Sequence, residues 1–594
     1  MKLKLSILGR PFQPPLHSIR HYSWRKLRRD LLAGLTVSVV EVPQAMAYAI
    51  IAGVPPQYGL YTSIIQGAVG ALLSSSEHMT TGPTNTQSLL IASAAKRIVM
   101  PDADPALYLQ LVFALTAIKG LFQLTFAAAS LGDLVRYVSR SVIAGLTAGA
   151  GVLIFVGQLP EFLGVQTAGR SSPLWGVAGR LAIVVQSLPT WNFRALLVGF
   201  GVIAVALGMR WISRLLPGAL TAVVLSAGAV WAAGWTGGQL HLIDPIPRGF
   251  PSFHVPWVSL DHARMLLGGA LALAVLGMLE SVAIAKTIAV QSGERISPNQ
   301  EFFAQGLNNT LTSFFQCIPG SGSFTRSALD YAAGAETRFA AVFNAVFVGT
   351  IFWLFAPLAG YIPKASLAAV LFVIAYGLID WRHMLRVART SRSDTAVCLT
   401  TFAATLLAPL EYAIFIGIFL SIALYLRRAS RLHLAEMIHV PGGPFVEVPL
   451  HDRTGQKSVV FLQAEGELFF GVADELQDRL AALSRGEVRV VVLRLKRTHS
   501  IDSTVLDVLE QFARDLRDRG GHLILCGVRR ELMGVLKAYG LLDLLGRENV
   551  FETGGGVFAS AKQALARARE LAGRSIDTDG LDAELEKEAV TYEI

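Results

Sequence analysis

Two polar, glycine-containing segments stand out in a chain that is otherwise rich in apolar residues. They run Thr80-Thr81-Gly82-Pro83-Thr84-Asn85-Thr86-Gln87-Ser88 and Gly320-Ser321-Gly322-Ser323-Phe324-Thr325-Arg326-Ser327-Ala328. Each leads into a stretch, 84–97 or 325–336, that is too short to cross a bilayer core of about 30 Å. A half-helix that begins at mid-membrane points unpaired N–H groups and a positive dipole end at the centre, which favours an anion. The pattern predicts an anion site between two half-helices; ordinary loops, or one re-entrant loop without function, are the plainer alternative.

Arg326 lies in the first turn of the second half-helix, where a positive charge is locally unfavourable. A bound anion would compensate this charge. An ion pair with Asp330, one turn further along the helix, would do the same. The two arrangements can coexist, and the residue types alone leave both open.

Two carboxylates, Glu280 and Glu41, fall within apolar helical stretches. An ionised carboxylate at mid-membrane costs about 2.5–3.5 kcal/mol on insertion scales, so it usually faces a water-filled cavity or binds a coupling cation. Glu41 shares a helix face with Gln44 and Tyr48. Both acids are therefore candidates for cation coupling, and structural ion pairing is the alternative for each.

The overall composition assigns the chain to membrane proteins. Of 594 residues, 53% are hydrophobic and 16% charged, the mean hydropathy is +0.49 and the formal net charge is +9. The basic residues lie between apolar stretches, which argues against a nucleic-acid partner. The scattered cysteines and histidines show no metal-ligand spacing, and neither a catalytic triad nor a phosphate-binding loop is present. We expect no metal, no cofactor and no enzymatic activity, and transport driven by ion gradients.

About fourteen stretches have the length or position of membrane helices. They lie near 31–51, 58–76, 84–97, 108–130, 138–158, 195–213, 217–235, 265–289, 300–316, 325–336, 338–359, 365–381, 393–410 and 411–428. Arginines are enriched in the loops after even-numbered stretches, as with Arg140, Arg295 and Arg386, which places both termini in the cytoplasm. The sequence predicts a cytoplasmic segment 1–30 and a transport domain 31–428 in the inner (plasma) membrane.

The character of the chain changes after Leu426. A segment with Pro and Gly around Pro441–Pro444 predicts a linker over 429–457. From 458 to 572, short β runs alternate with helical patterns, which is typical of an α/β domain. The predicted strands are Val459–Leu462, Val488–Leu493 and His522–Cys526, and the predicted helices are Ala473–Leu483 and Thr504–Arg517. Residues 573–594 are acidic and predict a solvated tail.

Several motifs, in this order along the chain, resemble those of the SulP (SLC26) anion transporters. Pro43-Gln44-Ala45-Met46-Ala47-Tyr48-Ala49, followed by Pro56-Gln57-Tyr58-Gly59-Leu60-Tyr61, resembles the signature of the first helix. Gln305-Gly306-Leu307-Asn308-Asn309 and then Gly322–Ala328 resemble the ninth and tenth helices. Ile501-Asp502-Ser503-Thr504 is similar to the strand-to-helix turn of a STAS domain. The resemblance covers nearly the whole chain.

The resemblance implies a polytopic helical protein of two inverted seven-helix repeats, arranged as a core and a gate domain, with a cytoplasmic STAS domain. It also implies an elevator-like movement of the core and a homodimer formed through the gate and STAS regions. Carried over residue by residue, substrate contacts would come from Gln44, Tyr48, Thr84, Asn85, Thr86, Ser323, Phe324, Thr325 and Arg326. Glu280 matches the eighth-helix acid that the family associates with cation coupling.

Three positions depart from the family pattern. Ser76-Glu77-His78 stands where a Ser followed by a basic residue is common, Asp330 replaces the usual Asn, and Val505 replaces a small residue. Ser503 matches a position that is phosphorylated in related soluble STAS proteins, so it is a candidate regulatory site. Capping of the helix by Asp502 or Ser503 is the plainer interpretation.

The expected function is secondary uptake of a small oxyanion, sulfate first, driven by protons through Glu280. Sodium-coupled bicarbonate uptake and proton–dicarboxylate symport are rivals, because Thr and Ser oxygens near Glu280 would also suit sodium. A passive anion channel and a membrane-anchored signalling protein represent other classes. The sequence leaves the anion open, since all these substrates require N–H donors and a positive field.

Overall fold

The computed structural model describes residues 22–132, 139–165, 176–212, 218–235, 239–439, 445–449, 458–484, 488–554 and 559–573. The chain divides into two compact units, Met1–Ile422 and Ala423–Ile594, and each is described by itself. Most of the predicted segment 1–30 and almost all of the predicted acidic tail lie outside the described residues.

The first half of the membrane unit is helical, with one very short strand. Its elements are α1 (Trp24–Ala52), α2 (Pro56–Leu73), β1 (Thr81–Gly82), α3 (Asn85–Ala95), α4 (Pro105–Ala128), α5 (Arg140–Leu163), α6 (Gly176–Ser187), α7 (Phe193–Ile212) and α8 (Gly218–Ala232). Local chemistry sets their ends. Ser23 caps α1 by accepting a bond from the Lys26 N–H at 3.3 Å, and Gly53, with φ of +80°, ends that helix.

The second half repeats the order of long helices around a short strand and a short helix. It contains α9 (Leu260–Ser292), α10 (Pro298–Thr312), β2 (Ser321–Gly322), α11 (Phe324–Ala332), α12 (Phe339–Phe355), α13 (Lys364–Leu378), α14 (Trp381–Thr390), α15 (Arg392–Leu407) and α16 (Leu410–Ala429). All fourteen predicted stretches therefore correspond to helices of the described residues.

Two helices among the described residues of the membrane unit, α6 and α14, were not predicted. α14 is rich in arginine and has no buried residue, so it lacks the apolar length on which the prediction depends. The axis of α6 is bent by 119° from that of α7, so the two form a broken pair. In the described part of the chain, seven helices are long and apolar enough to cross a membrane, or eight if this pair counts as one.

Helices of the two halves pack against one another. α1 and α2 pack against α12, and α4 packs against α10, whereas α5 packs against α13 and α15. Small residues permit the close approach. A Cβ atom on Gly34 would lie 2.7 Å from the Ala340 carbonyl oxygen, and one on Gly145 would lie 2.3 Å from that of Cys398. This pairing fits the core and gate bundles that the resemblance implies.

The second unit is built on a six-stranded sheet in the order β4-β3-β5-β6-β7-β8. The strands are β3 (His433–His439), β4 (Phe445–Pro449), β5 (Val459–Leu468), β6 (Val490–Ile501), β7 (His522–Val528) and β8 (Val550–Glu552). The helices are α17 (Phe470–Ser484), α18 (Ser503–Asp518), α19 (Arg530–Tyr539), α20 (Leu541–Leu545) and α21 (Ala559–Ala572). Strands β5 to β8 are parallel, as βαβ crossovers require.

The predicted strands and helices of this α/β domain are present, but the predicted linker over 429–457 needs correction. Residues 433–439 and 445–449 are strands, because β3 pairs antiparallel with both β4 and β5. The predicted Pro441–Pro444 segment lies outside the described residues. A Pro-Gly run marks a boundary between two strands as readily as a linker between domains, which explains the error.

Candidate functional site: two facing half-helices

The short strands β1 and β2 bring the starts of α3 and α11 together. They pair antiparallel, with Thr81 opposite Gly322 and Gly82 opposite Ser321. The Ser323 N–H also donates to the Thr80 carbonyl oxygen at 3.0 Å. The N-cap residues of α3 and α11 are Thr84 and Ser323, and neither uses its side chain to cap its helix. The two N-terminal helix ends thus meet in one place, as the sequence predicts.

Glycine is required where these two segments cross. A Cβ atom on Gly320 would lie 1.9 Å from the Gln66 Oε1 atom and 2.7 Å from the Gly82 carbonyl oxygen. The amide of Gln66 is itself fixed, since its Nε2 donates to Thr312 and to the Ile318 carbonyl oxygen, both at 3.1 Å. No side chain fits at Gly320 without displacing backbone.

The buried guanidinium of Arg326 pairs with Glu41, not with Asp330. Its Nη1 donates to a Glu41 carboxylate oxygen, and its Nη2 donates to the Pro83 carbonyl oxygen at 2.9 Å. The second Glu41 oxygen accepts a bond from the Asn344 Nδ2 atom at 2.6 Å. The ion pair with Asp330 that the helix spacing allows is therefore absent, because the Arg326 side chain extends from α11 toward α1 and β1.

Glu280 of α9 contacts both polar segments. Its carboxylate accepts a hydrogen bond from the Thr86 hydroxyl in α3 and another, at 2.8 Å, from the Ser321 hydroxyl in β2. The Ser321 hydroxyl lies 3.4 Å from that of Thr84. The neighbouring Ser281 hydroxyl accepts a bond from the Gly322 N–H at 3.0 Å. One acidic side chain is thus hydrogen-bonded to the start of each half of the site.

The other predicted contact residues surround the same two helix ends or lie on α1. Asn85 accepts a bond from the Thr86 N–H at 2.8 Å. Phe324 and Thr325 are exposed, whereas Tyr48 is buried. The Oε1 atom of Gln44 is buried and has no hydrogen-bond partner among the described residues. The structure therefore places these residues at the two helix ends or on α1, and their roles toward a substrate stay predictions.

Sequence reasoning missed Lys119, which is fully buried in the middle of α4. Its ammonium group donates to the Gln87 Oε1 atom at 2.8 Å and to the Gly320 carbonyl oxygen at 2.6 Å. The signal was available, because a lysine within the apolar stretch 108–130 is as unusual as Glu280 within its own. It was overlooked because no motif includes it.

His78 and Asp330, two residues that differ from the family pattern, belong to one cluster of charged side chains. The His78 Nε2 atom is 3.0 Å from a Glu294 carboxylate oxygen, and its Nδ1 atom is 4.0 Å from Asp330. Burial alone would lower the pKa of His78, but the hydrogen bond and the charge of Glu294, with further carboxylates, raise that pKa above its usual value. The cluster joins the loop after α2, the loop after α9 and the half-helix α11.

The predicted regulatory turn of the second unit starts α18. Asp502 is its N-cap residue, and its Oδ1 atom accepts a bond from the Val505 N–H at 3.0 Å. Its Oδ2 atom accepts another from the Phe470 N–H at 2.5 Å. Ser503 is exposed at the first helical position. Capping by Asp502 is thus present, and phosphorylation of Ser503 stays a prediction.

Comparison with known proteins assigns this architecture. The profile of the sulfate permease family matches residues 27–401, and that of the STAS domain matches residues 452–555. The chain belongs to the sulfate permease family. It is 28% identical over 554 residues to probable sulfate transporter 4.2 of Arabidopsis thaliana, covering 90% of this chain and 81% of that protein. It is 29% identical over 570 residues to low affinity sulfate transporter 3 of Stylosanthes hamata, covering 91% and 88%.

A solved structure has the same fold. The murine Solute Carrier 26 family member A9 anion transporter matches with a TM-score of 0.85 at 19% identity, covering 96% of this chain and 95% of that one. This member of the sulfate permease family is therefore a multi-pass membrane protein with a STAS domain, and it transports anions as a member of a family of transporters, not enzymes. The resemblance and the fold class inferred from its sequence are confirmed.

Proposed function

We propose that this protein takes up sulfate together with protons, with Glu280 as the proton-binding group. The observation that carries the proposal is that the Glu280 carboxylate accepts hydrogen bonds from both Thr86 and Ser321. These residues stand at the starts of the two half-helices. Protonation would turn an acceptor into a donor and break at least one of these contacts. Proton binding and the geometry of the anion site are then linked.

The charges at the site fit an oxyanion substrate. The first-turn N–H groups and positive dipole ends of α3 and α11 converge where β1 pairs with β2. In our proposal the anion lies in front of these ends, contacting Thr84, Asn85, Thr86, Ser323, Phe324, Thr325 and Arg326, with Gln44 and Tyr48 from α1. An anion would compete with Glu41 for the guanidinium of Arg326. The pair with Glu41 would hold that charge while the site is empty.

The transport movement that we propose is elevator-like. The helices that hold the site, α1 to α4 and α9 to α12, would move as one body against α5, α7, α8, α13 and α15. We further propose that both termini and the STAS domain are cytoplasmic, that the protein resides in the inner (plasma) membrane, and that it works as a homodimer. Arginine-rich α14, with no buried residue, supports this orientation because such segments favour the cytoplasmic side.

Uptake of labelled sulfate into proteoliposomes tests the proposal. Proton and sodium gradients are imposed separately, with bicarbonate, fumarate and succinate as unlabelled competitors. We expect an inward proton gradient to drive accumulation and sodium to have no effect. Glu280→Gln should abolish accumulation and retain some exchange. The matched control is Asp261→Asn on the same helix, whose side chain is 87% exposed; it should accumulate sulfate normally.

Sodium coupling is the second candidate, and one observation favours it. The hydroxyl groups of Thr86, Ser321 and Thr84 lie together with the Glu280 carboxylate. Such a set of oxygens suits a hard cation as well as a proton. Sodium-driven bicarbonate uptake without proton dependence would replace both the ion and the substrate. Large currents without accumulation would indicate a passive channel instead.

A further inference from the structure

Lys119 is a buried cation to which the proposed transport cycle assigns no role. It is 0% exposed, and its ammonium group donates to the Gln87 Oε1 atom at 2.8 Å and the Gly320 carbonyl oxygen at 2.6 Å. A charge in such a place is costly, even with two hydrogen bonds. We therefore expect a negative charge close to this lysine, because the rest of its helix is apolar.

The two hydrogen-bond partners of Lys119 are the chain neighbours of the two residues that bind Glu280. Gln87 follows Thr86, and Gly320 precedes Ser321. The ammonium also lies against α9, because a Cβ atom on Gly277, one turn before Glu280, would be 3.3 Å from its Nζ atom. Lys119 and Glu280 are therefore hydrogen-bonded to adjacent residues of the same two segments. Both groups thus contact the starts of the same two half-helices, α3 and α11.

The charges of this site occur in two matched sets. Arg326 is paired with Glu41, and that pair contributes no net charge. Lys119 and Glu280, which are hydrogen-bonded to neighbouring residues at the starts of the two half-helices, form the second set. While Glu280 is ionised, the four charges sum to zero. When Glu280 takes up a proton, the positive charge of Lys119 is no longer balanced, and the site carries a net charge of about +1.

We propose that Lys119 is the residue that makes the protonated site prefer a divalent over a monovalent oxyanion, acting through its field and without touching the substrate. This inference rests on the proposed coupling of protons through Glu280. Coulomb energy scales with the charge of the anion. The Lys119 field is therefore worth twice as much for sulfate as for a monovalent anion of the same shape. Loss of its hydrogen bonds alone would weaken both anions equally.

The test removes the Lys119 charge from a protein in which Glu280 is already neutral. Glu280→Gln is compared with Glu280→Gln/Lys119→Gln, and with Glu280→Gln/Lys119→Arg, which keeps the charge. The double Gln variant contains no unpaired buried charge at this position, so it is the variant best suited to fold. Thermal denaturation in detergent verifies folding. Affinities are measured for sulfate and for perchlorate, which are both tetrahedral oxyanions with charges of −2 and −1.

We expect the double Gln variant to bind perchlorate on the order of tenfold more weakly than Glu280→Gln, and sulfate on the order of a hundredfold more weakly. Coulomb's law gives factors of this order for an assumed separation of about 10 Å and an effective dielectric constant near 20. The Arg variant should restore most of the sulfate affinity.

Unchanged sulfate affinity, or an equal loss of affinity for the two anions, would overturn this role of Lys119. Lys119 would then have only a structural role. That result is distinguishable from failure of proton coupling. In the latter case the wild-type protein ignores a proton gradient, and Glu280→Gln transports as the wild type does. If no variant binds sulfate, both proposals are wrong.

Discussion

Replacing Glu41 with Gln should expose how strongly the buried ion pair restrains Arg326. Both side chains are 1% exposed, and the two groups lie 285 residues apart in the chain. Removing one partner of a buried ion pair costs about 3–5 kcal/mol, because the other charge stays unpaired. The substituted amide would still offer Arg326 a neutral acceptor, and the guanidinium would keep its bond to the Pro83 carbonyl oxygen. We therefore expect a loss of about 3 kcal/mol, at the lower end of that range.

The assay is denaturation of the purified protein in detergent, with and without sulfate. A double-mutant cycle with Arg326→Gln should return a coupling energy of about 2–3 kcal/mol. The control is Glu336→Gln, since Glu336 pairs with Arg25 and Arg29 near the surface. Exposed pairs of this kind contribute about 0–1 kcal/mol.

Sulfate provides the second half of the test. If an anion takes the place of Glu41 beside Arg326, Glu41→Gln should bind sulfate more tightly than the wild type does. Sulfate at a hundredfold excess over its Kd should then restore about 2.7 kcal/mol of stability. A cost no larger than that of the Glu336 control, or a sulfate affinity that falls, would refute the idea that Glu41 competes with the substrate.

Three further predictions address other parts of the structure. Gly320→Ala should destabilise the protein and abolish sulfate binding, since its Cβ atom has no space, whereas Gly268→Ala, with nothing within 4 Å, should be tolerated in melting and uptake assays. His78→Gln should cost about 1.5–3 kcal/mol in acid-side melting assays near pH 6, because the Glu294 pair is complete below the ordinary pKa of His. The cost should shrink as the pH rises through the raised pKa of His78, where the pair loses its charge in the folded protein too. Asp502→Ala should cost the STAS domain about 1 kcal/mol, measured by chemical denaturation, since it removes the cap of α18.

Much of the fold could be predicted because a bilayer imposes a simple requirement on sequence. A helix that crosses it needs about 20 apolar residues, so spans are visible as composition. The short stretches 84–97 and 325–336 were identified as half-helices for the same reason. Helix α14 was not predicted because its arginines give it the composition of a loop. Strands β3 and β4 were not predicted because they are only seven and five residues long, and short strands beside Pro and Gly resemble a linker in sequence.

Part of the candidate site could also be predicted from single residues. Glu280, Glu41 and Arg326 were selected because a charge within an apolar segment is expensive and needs a reason. The same rule, applied to every apolar stretch, would have selected Lys119. Residue type and depth were thus sufficient to nominate these charges.

The sequence could not determine which charged side chains of the site pair with one another. Spacing on one helix allowed Asp330 as a partner of Arg326, beside a bound anion, since local contacts are all that a helix pattern contains. The actual partner, Glu41, is on a helix of the other repeat. Lys119 and Glu280 are likewise joined only when α4, α9 and the two short strands assemble. By itself, the sequence determined the membrane spans, the half-helices and the identity of the charged groups. The pairing of those charges was decided by tertiary packing, because Coulomb energy depends on distances between helices that no local pattern encodes.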